Sequence, residues 1–176
     1  MFSSCTRFTN MKDKQTVRNE LLMDSPVGML RLAASDRGLI AIDVRKSSIS
    51  REVTAADAQA KAILQVARKQ LAEYFVGKRT SCTIPLDLRG TEFQVESWKA
   101  LGRIPYGKTI SYGQQAQNIG NPRACRAVGS ANARNPIPII VPCHRVVSAD
   151  GSLGGYSLGL KMKKQLLALE GRHQAK

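Results

Sequence analysis

The stretch Ser111-Tyr-Gly-Gln-Gln-Ala-Gln-Asn-Ile-Gly-Asn-Pro-Arg-Ala-Cys-Arg-Ala-Val-Gly-Ser-Ala-Asn-Ala133 predicts two short helices joined by a tight turn. Ser111 is a good N-cap for the first helix, which a glycine ends. The second helix is predicted over about Arg123–Ala133, with Asn121 as its cap and Pro122 at its first helical position. Two short helices around a turn that contains glycine are typical of a helix-turn-helix.

Helical and extended segments surround this motif in the second half of the chain. The helix predicted before it covers Phe93–Leu101. After it come Pro136–Val141, an apolar segment predicted to be extended, and Val146–Gly155, which resembles a hairpin. A last helix is predicted over Leu158–Glu170. The second half is therefore predicted to be a mainly helical domain of the helix-turn-helix type.

The first half combines short strands with one long helix. Three strands separated by turns are predicted at Val17–Met23, Met29–Ala34 and Leu39–Val44. Apolar residues that recur every three to four positions predict a helix over Ala55–Val76, with Thr54 as its N-cap. Cys82–Leu88 is predicted to be a further strand. No catalytic group of residues is visible here, so this half is interpreted as a scaffold.

The dipeptide Arg89-Gly90 marks a boundary between these two patterns. The predicted domains are residues 1–88 and 91–176, and the predicted fold class is α+β. No apolar run approaches the roughly 18 residues that span a bilayer, so no membrane association is expected. The first residues, Met1–Arg7, lack the apolar core of a secretory signal, and the cytoplasm is the expected location.

The charge of the chain is strongly positive. The formal net charge is +14, from 27 basic and 13 acidic side chains. Residues 1–90 hold 15 basic and 9 acidic residues, whereas residues 91–176 hold 12 and 4. Acidic residues are therefore scarce in the second half. A balance of this kind favours a polyanionic partner such as a nucleic acid.

Cysteine and histidine are too few and too scattered for a disulfide framework or a zinc site. The residues concerned are Cys5, Cys82, Cys125, Cys143, His144 and His173. No CxxC pair is present, and both histidines lie beyond residue 143. No metal and no disulfide are therefore expected, and reduced thiols fit a reducing compartment.

The sequence Ile139-Ile-Val-Pro-Cys-His-Arg145 places a thiol beside an imidazole and a guanidinium. Only the thiolate of cysteine is a strong nucleophile, and a neighbouring base or positive charge favours it. Cys143 is therefore a candidate nucleophile. On an extended strand His144 would point to the opposite face, and a bridging water would then have to connect the two groups. The alternative is a buried structural cysteine beside a hydrogen-bonded core histidine.

Cys143 lies within an ordered series of motifs that extends from Phe93 to Gly171. The motifs are Phe93-Gln94…Trp98, Ile104-Pro105-Tyr-Gly107, Ser111-Tyr-Gly113, Arg126-Ala-Val-Gly129, Asn135-Pro136, Ile140-Val-Pro-Cys-His-Arg-Val-Val147, Gly155-Tyr156 and Leu166-Leu167…Glu170-Gly171. In this order they resemble the O6-alkylguanine-DNA alkyltransferases, or methylated-DNA–protein-cysteine methyltransferases. The resemblance is nearly continuous from Thr91 to Gly171 and looser over the first half.

The resemblance implies a fold and an activity. The expected fold is a small ferredoxin- or RNase H-like module followed by a winged helix-turn-helix-type domain. The expected activity is direct repair, in which Cys143 takes the alkyl group from O6-alkylguanine in DNA after the base has been flipped out. The sequence leaves open whether O4-alkylthymine is also a substrate. Because the product is a thioether, which water does not cleave, each molecule would react once, without a cofactor.

The family pattern also implies the roles of five side chains. Cys143 matches the alkyl acceptor, His144 the base that takes its proton through a water, and Glu170 the carboxylate that orients the imidazole. Tyr112 matches the phenol that donates to the departing guanine, and Asn135 matches a brace of the active-site loop. From the residues alone, Glu170 has the alternative of a surface acid, Tyr112 of a packing aromatic and Asn135 of an Asx turn.

Substrate and DNA contacts follow from the same resemblance. Arg126 matches the arginine that fills the gap left by the flipped nucleotide. The other matching positions are Ala127, Tyr112, Asn121, Arg123 and Arg134 for DNA, and Val146, Tyr156 and Ser157 for the base. The expected partner is double-stranded DNA that carries O6-alkylguanine. The free protein is expected to be a monomer, and clustering of copies on DNA is left open.

Two other functions remain open from the residues alone. One is a lesion-binding protein that recognises alkylguanine without reacting with it. The non-catalytic relatives have tryptophan at the position of Cys143, so the cysteine favours chemistry. The other is a cysteine hydrolase that uses Cys143, His144 and Glu170 on a small ester or amide. Some family members also hold zinc in the first module, but this chain has no histidine before residue 144.

Overall fold

The computed structural model describes residues 19–45 and 57–174. The first part is a three-stranded antiparallel sheet in the order β1-β2-β3, with β1 at Asn19–Met23, β2 at Met29–Ala34 and β3 at Leu39–Arg45. Leu32 of β2 pairs with Leu21 and Ile42. The three predicted strands are confirmed, although residues 17 and 18 lie outside the described part.

Helix α1 (Ala58–Phe75) packs against this sheet through one apolar face. The side chain of Asp57 caps it by accepting hydrogen bonds from the amides of Gln59 and Ala60. The predicted cap, Thr54, lies outside the described residues. The residue that caps the helix is Asp57. The residues that cover the sheet are buried and recur at helical spacing: Ala60, Ile63, Leu64, Ala67 and Leu71.

The strand predicted over Cys82–Leu88 is wrong. Among the described residues of the sheet, Leu39 alone forms backbone hydrogen bonds with this segment: it donates to the carbonyl of Pro85 and accepts from the amide of Asp87, both at 2.9 Å. A single bridge between Leu39 and Leu86 results. Pro85 has no amide hydrogen and cannot extend a ladder, so the apolar pattern of the segment reflects burial rather than strand pairing.

Three short helices form the centre of the second half, namely α2 (Glu92–Leu101), α3 (Tyr112–Asn118) and α4 (Cys125–Ala133). Capping boxes begin two of them, with Thr91 and Gln94 for α2 and Ser111 and Gln114 for α3. The helix-turn-helix segments α3 and α4 are therefore present as predicted, and Ser111 is confirmed as a cap.

The predicted start of α4 is wrong. Asn121 does not cap it; its carbonyl accepts from the amide of Ala124 at 3.0 Å, which closes a turn before the helix. The helix begins at Cys125, and no side chain caps it. The dipeptide Asn121-Pro122 also favours a β-turn, and here the turn is formed.

Tertiary contacts lock α4 against its neighbours. The amide groups of Gln115 and Asn132 exchange two buried hydrogen bonds of 3.1 and 2.7 Å between α3 and α4. The indole of Trp98 in α2 donates to the carbonyl of Ala131 at 2.9 Å. Buried polar groups that are fully paired fix one arrangement, so the exposed face of α4 is held rigidly.

The segment between α4 and the last helix is more irregular than predicted. Pro136–Val141 is not extended but turns sharply, because the amide of Val141 bonds to the carbonyl of Ile137 and Ile139 has a positive φ of 76°. A single 3-10 turn, Cys143–Arg145, follows. It leads into β5 (Val146–Val147), which pairs in parallel with β4 (Ile110–Ser111).

The predicted hairpin over Val146–Gly155 is also wrong, since only a turn closed between Ser148 and Ser152 exists and β5 pairs with β4 instead. The last helix, α5 (Leu160–Gln174), starts slightly later and runs further than predicted. It packs against the 3-10 turn that carries Cys143.

No helix among residues 19–45 and 57–174 is long and apolar enough to cross a membrane. The α+β fold class is confirmed.

Candidate active site

Cys143 lies at the start of the 3-10 turn and is only 4% exposed. The side-chain amide of Asn135 donates to Cys143 Sγ at 3.1 Å and to the carbonyl of Val141 at 2.7 Å. Its oxygen accepts from the amide of Ile137 at 3.0 Å. Asn135 therefore ties the two ends of the 135–141 turn together and points a donor at the sulfur.

Burial raises the pKa of the Cys143 thiol above its ordinary value, because a thiolate is poorly solvated there. The hydrogen bond from Asn135 and the positive charge of Lys163 act in the opposite direction without cancelling this effect. Near neutral pH the sulfur is therefore protonated, and a nucleophilic reaction at Cys143 needs a base.

His144, the neighbour of Cys143 in the sequence, contacts Glu170. The Nε2 atom of His144 lies 2.8 Å from Glu170 Oε1, and both side chains are fully buried. Burial lowers the pKa of His144, against the pull of Glu170, so the imidazole is neutral. With Nε2 directed at a carboxylate, the proton lies on Nε2 and Nδ1 is an acceptor. Nδ1 is buried and has no hydrogen-bond partner among the described residues.

Glu170 accepts more hydrogen bonds than the sequence suggests. Arg145 donates to both carboxylate oxygens, with Nη2–Oε1 and Nε–Oε2 distances of 3.0 Å. The amide of Gly107 donates to Oε2 at 2.8 Å, and the hydroxyl of Tyr74 donates to Oε1 at 2.7 Å. Burial alone would raise the pKa of Glu170, but the bonds from His144 and Arg145 hold it at about 2. The carboxylate therefore stays ionised.

Lys163 is a residue of the candidate site that the sequence analysis missed. Its side chain is fully buried, and Nζ donates to the carbonyls of Val146 at 2.6 Å and Gly155 at 3.2 Å, and also to that of Leu153. Burial lowers the pKa of its ammonium group. The sequence did contain a signal that Lys163 is buried. Lys163 lies on one helical face with Leu166 and Glu170, at the spacing of a buried stripe.

Tyr112 and Tyr156 lie around the sulfur on the side of the 153–156 loop. The hydroxyl of Tyr112, half-buried, donates to the carbonyl of Gly155 at 3.5 Å. Burial and the nearby Cys143 both raise its pKa, so it remains a donor. The hydroxyl of Tyr156 is buried without a hydrogen-bond partner in the described part of the chain, and burial raises its pKa too. Ser157 is exposed at the end of this loop.

Comparison with known proteins places this geometry in a family. Residues 92–172 match the family model for the 6-O-methylguanine DNA methyltransferase DNA-binding domain, and residues 20–88 match the ribonuclease-like domain of the same proteins. A methylated-DNA–protein-cysteine methyltransferase of Methanosarcina acetivorans is 47% identical over 85% of this chain and 96% of its own length. The chain belongs to the 6-O-methylguanine DNA methyltransferase family.

Other methyltransferases of the family are equally similar. A methylated-DNA–protein-cysteine methyltransferase of Mycolicibacterium paratuberculosis is 49% identical over 86% of this chain and 91% of its own. The crystal structure of Mycobacterium tuberculosis OGT in complex with DNA has a TM-score of 0.76 and 47% identity, and covers 86% of this chain and 92% of that one.

The remaining site residues predicted from the methyltransferase resemblance lie on the surface of the helix-turn-helix. Arg126 and Ala127 are exposed in α4, whereas Val128 and Ala131 of the same helix are buried. Other exposed positions around the helix are Asn121, Arg123 and Arg134. Arg134 also donates to its neighbour Ser130, so it is partly engaged on its own helix. The ring of Tyr112 packs close to Gly129 and so connects this surface to Cys143.

Proposed function

We propose that this protein repairs DNA by moving the alkyl group of O6-alkylguanine onto Cys143 Sγ, irreversibly and once per molecule. The observation that carries the proposal is a buried free thiol beside a neutral imidazole whose far nitrogen faces an ionised carboxylate. Relatives that are 47 and 49% identical are methylated-DNA–protein-cysteine methyltransferases, which supports the same enzyme class here.

The proposed reaction is an attack of sulfur on the alkyl carbon. His144 Nδ1 takes the thiol proton through a water, and Glu170 stabilises the imidazolium that forms. The thiolate forms a carbon–sulfur bond while the bond between the alkyl carbon and O6 breaks. The electron pair of the breaking bond goes to the guanine. Tyr112 donates a hydrogen bond to the departing base, which lowers the cost of that negative charge. The product is a thioether, and no group in the proposal removes it.

The flipped alkylguanine is proposed to lie between the loop 153–157 and the 3-10 turn that carries Cys143. The carbonyls of Cys143 and Val146 accept from the exocyclic amine, the backbone at Ser157 donates to O6, and Tyr156 forms a wall. Lys163 supports this arrangement, because its bonds to Val146 and Gly155 hold the two sides of the pocket together. The donor of the alkyl group is the lesion itself, so the reaction as proposed uses no cofactor.

The proposed partner is double-stranded DNA, bound through α4. Arg126 enters the space left by the flipped nucleotide, and Ala127 allows close approach. Asn121, Arg123 and Arg134 contact the phosphate backbone, and Tyr112 lies between this surface and the pocket. The relative of known structure from M. tuberculosis was solved in complex with DNA, which supports DNA as the partner. The net charge of +14 favours such binding electrostatically.

The organisation and location of the protein are proposed accordingly. Residues 1–88 form the scaffold module and residues 91–176 the alkyltransferase domain, in a protein that is a monomer when free. Because the reaction consumes a reduced thiol, a reducing compartment such as the cytoplasm suits it.

Intact-mass spectrometry tests the proposal directly. The protein is mixed with an excess of an oligonucleotide that contains O6-methylguanine. We expect the mass of the protein to rise by one methyl group in place of one hydrogen, on Cys143, and to rise no further. The variant Cys143→Ala should bind the same oligonucleotide and gain no mass. An unmodified wild-type protein that binds the lesion would indicate a sensor, and repeated hydrolysis of small esters would indicate a hydrolase; either result would overturn the proposal.

A further inference from the structure

The first half of the chain contributes one polar group to the candidate active site. Tyr74 lies in the last turn of α1, and its hydroxyl donates to Glu170 Oε1 at 2.7 Å in a fully buried contact. We propose that Tyr74 is a positioning residue of the alkyl transfer, through which the scaffold module holds Glu170 and sets how strongly that carboxylate supports His144. The inference rests on the proposed roles of His144 and Glu170.

The position of the Tyr74 hydroxyl is fixed by packing on several sides. Its ring meets those of Phe75 and Tyr106 edge to face, with centroids 5.3 and 5.8 Å apart. The guanidinium of Arg145 lies 5.6 Å from the centre of the Tyr106 ring. A rigid ring of this kind cannot turn its hydroxyl away from Glu170 without disturbing the cluster.

A further contact anchors the end of α1 beside α5. Gly77, just after α1, has a positive φ of 72°, and a side chain there would collide with the ring of His173 in α5. The chain after α1 therefore packs directly against the side chain of His173. Since α5 also carries Glu170, this contact and the Tyr74–Glu170 hydrogen bond both join the end of α1 to α5.

Glu170 Oε1 is shared between Tyr74 and His144, at 2.7 and 2.8 Å. Each donor stabilises the negative charge and makes the oxygen a weaker base toward the other donor. Burial and the charge of Glu170 raise the pKa of Tyr74, so its hydroxyl always donates and never competes for the proton. Tyr74 therefore limits the attraction between Glu170 and the imidazole, which adds to the burial that lowers the pKa of His144 and leaves it able to accept the thiol proton.

Other groups face Glu170 and set the background for this effect. Arg145 from the 3-10 turn donates to both oxygens, and the amide of Gly107 donates to Oε2. Burial raises the pKa of the Tyr106 phenol, and the negative charge of Glu170 raises it further. Its hydroxyl lies 3.5 Å from His173 Nδ1. These contacts remain when only the Tyr74 hydroxyl is removed.

The test is the pH dependence of methyl transfer in the full-length variant Tyr74→Phe. This change keeps the ring and deletes the donor, so Glu170 attracts the proton of His144 more strongly and the apparent pKa of the pair rises. A hydrogen bond to a charged group corresponds to a shift of about one pH unit. Single-turnover rates are measured with a methylguanine oligonucleotide and with the free base. The acid limb of both profiles should move to higher pH by about one unit, with similar rates on the alkaline side.

Two further variants make the result unambiguous. Phe75→Leu disturbs the same packing but leaves the bonds of Glu170 in place, so it should lower thermal stability without moving the acid limb. An unchanged acid limb in Tyr74→Phe, or an equal shift in Phe75→Leu, would overturn the role of Tyr74. Glu170→Gln tests the underlying proposal separately: a wild-type rate and profile there would refute the His144–Glu170 base itself, whereas a slow Glu170→Gln with an unshifted Tyr74→Phe would refute only the inference about Tyr74.

Discussion

The sulfur of Cys143 is buried where a thiolate is unfavourable, and this sets the chemistry of the site at the scale of single residues. Burial protects the thiol from unwanted reactions but raises its pKa. Asn135 and Lys163 stabilise the thiolate from two sides, one by a hydrogen bond and one by charge. Reactivity therefore depends on the arrival of the alkyl group and on a base that removes the proton at that moment.

The variant Lys163→Met tests the contribution of the buried ammonium. It removes the charge that lowers the pKa of Cys143 and leaves the carbonyls of Val146 and Gly155 without their donor. We expect a higher thiol pKa in iodoacetamide titrations, methyl transfer at least about tenfold slower at neutral pH, and a loss of about 1–3 kcal/mol in stability. The neighbouring exposed Lys164→Met is the matched control, and equal behaviour of the two variants would contradict the role of Lys163.

The helix-turn-helix shows at the scale of elements how a helix rich in small residues is held in place. Helix α4 buries Val128, Ala131 and Asn132, while Arg126 and Ala127 remain exposed. The anchors are distant in sequence, since Gln115 and Trp98 bond to this helix from α3 and α2. A rigidly held helix can place a single arginine into a gap in the duplex without the cost of ordering it on binding.

The variant Arg126→Ala should separate base flipping from alkyl transfer. Flipping a nucleotide out of a duplex costs roughly a few kcal/mol, and an arginine that fills the gap offsets part of it. We expect repair of a duplex that contains O6-methylguanine to slow by at least about tenfold, with transfer from the free base unchanged. Arg68→Ala, at an exposed position of α1, serves as the control. Equal losses on duplex and free base would contradict this role for Arg126.

At the scale of the whole molecule, α5 joins the two halves of the chain around one charged cluster. Tyr74 and Glu170 are 96 positions apart in sequence, and Arg145 and Ile104 are 41 apart, yet each pair is hydrogen-bonded and buried. Buried charges are costly unless they are paired and hydrogen-bonded, and Glu170 meets this condition through donors from several elements. The cluster therefore couples the stability of the fold to the protonation of the active site.

Acid should destabilise the protein in two stages. His144 has a lowered pKa in the folded state, so the unfolded chain takes up its proton first and stability falls as the pH drops below about 6.5. Glu170 has a folded pKa of about 2 against an ordinary value of 4.5, so a second loss of stability begins below about pH 4.5. We expect urea unfolding to show stability falling between pH 6 and 5, with a slope of at most about 1.4 kcal/mol per pH unit, the limit for one proton. The variant His144→Gln should flatten this first stage, and an equally steep decline in that variant would contradict the assignment.

Local sequence was enough to predict the elements whose signals are local. The capping residue Ser111, the helical spacing of Ile63 and Leu64, and the three strands of the first half are all confirmed. Where two local signals competed, the prediction was wrong: Asn121-Pro122 favours both a helix start and a turn, and the contacts of α4 decide for the turn. Pro85 and the 137–141 turn were misjudged because apolar composition indicates burial but not hydrogen-bond pairing.

The sequence by itself determined the family, the α+β class and the residues around which the site is built, because the order of motifs around Cys143 is specific. Only the tertiary structure decided which groups share Glu170, that Lys163 is buried against carbonyls, and that β5 pairs with β4. These contacts join residues from distant parts of the chain. No local propensity encodes them, since they depend on how the packed elements bring one buried charge within reach of its donors.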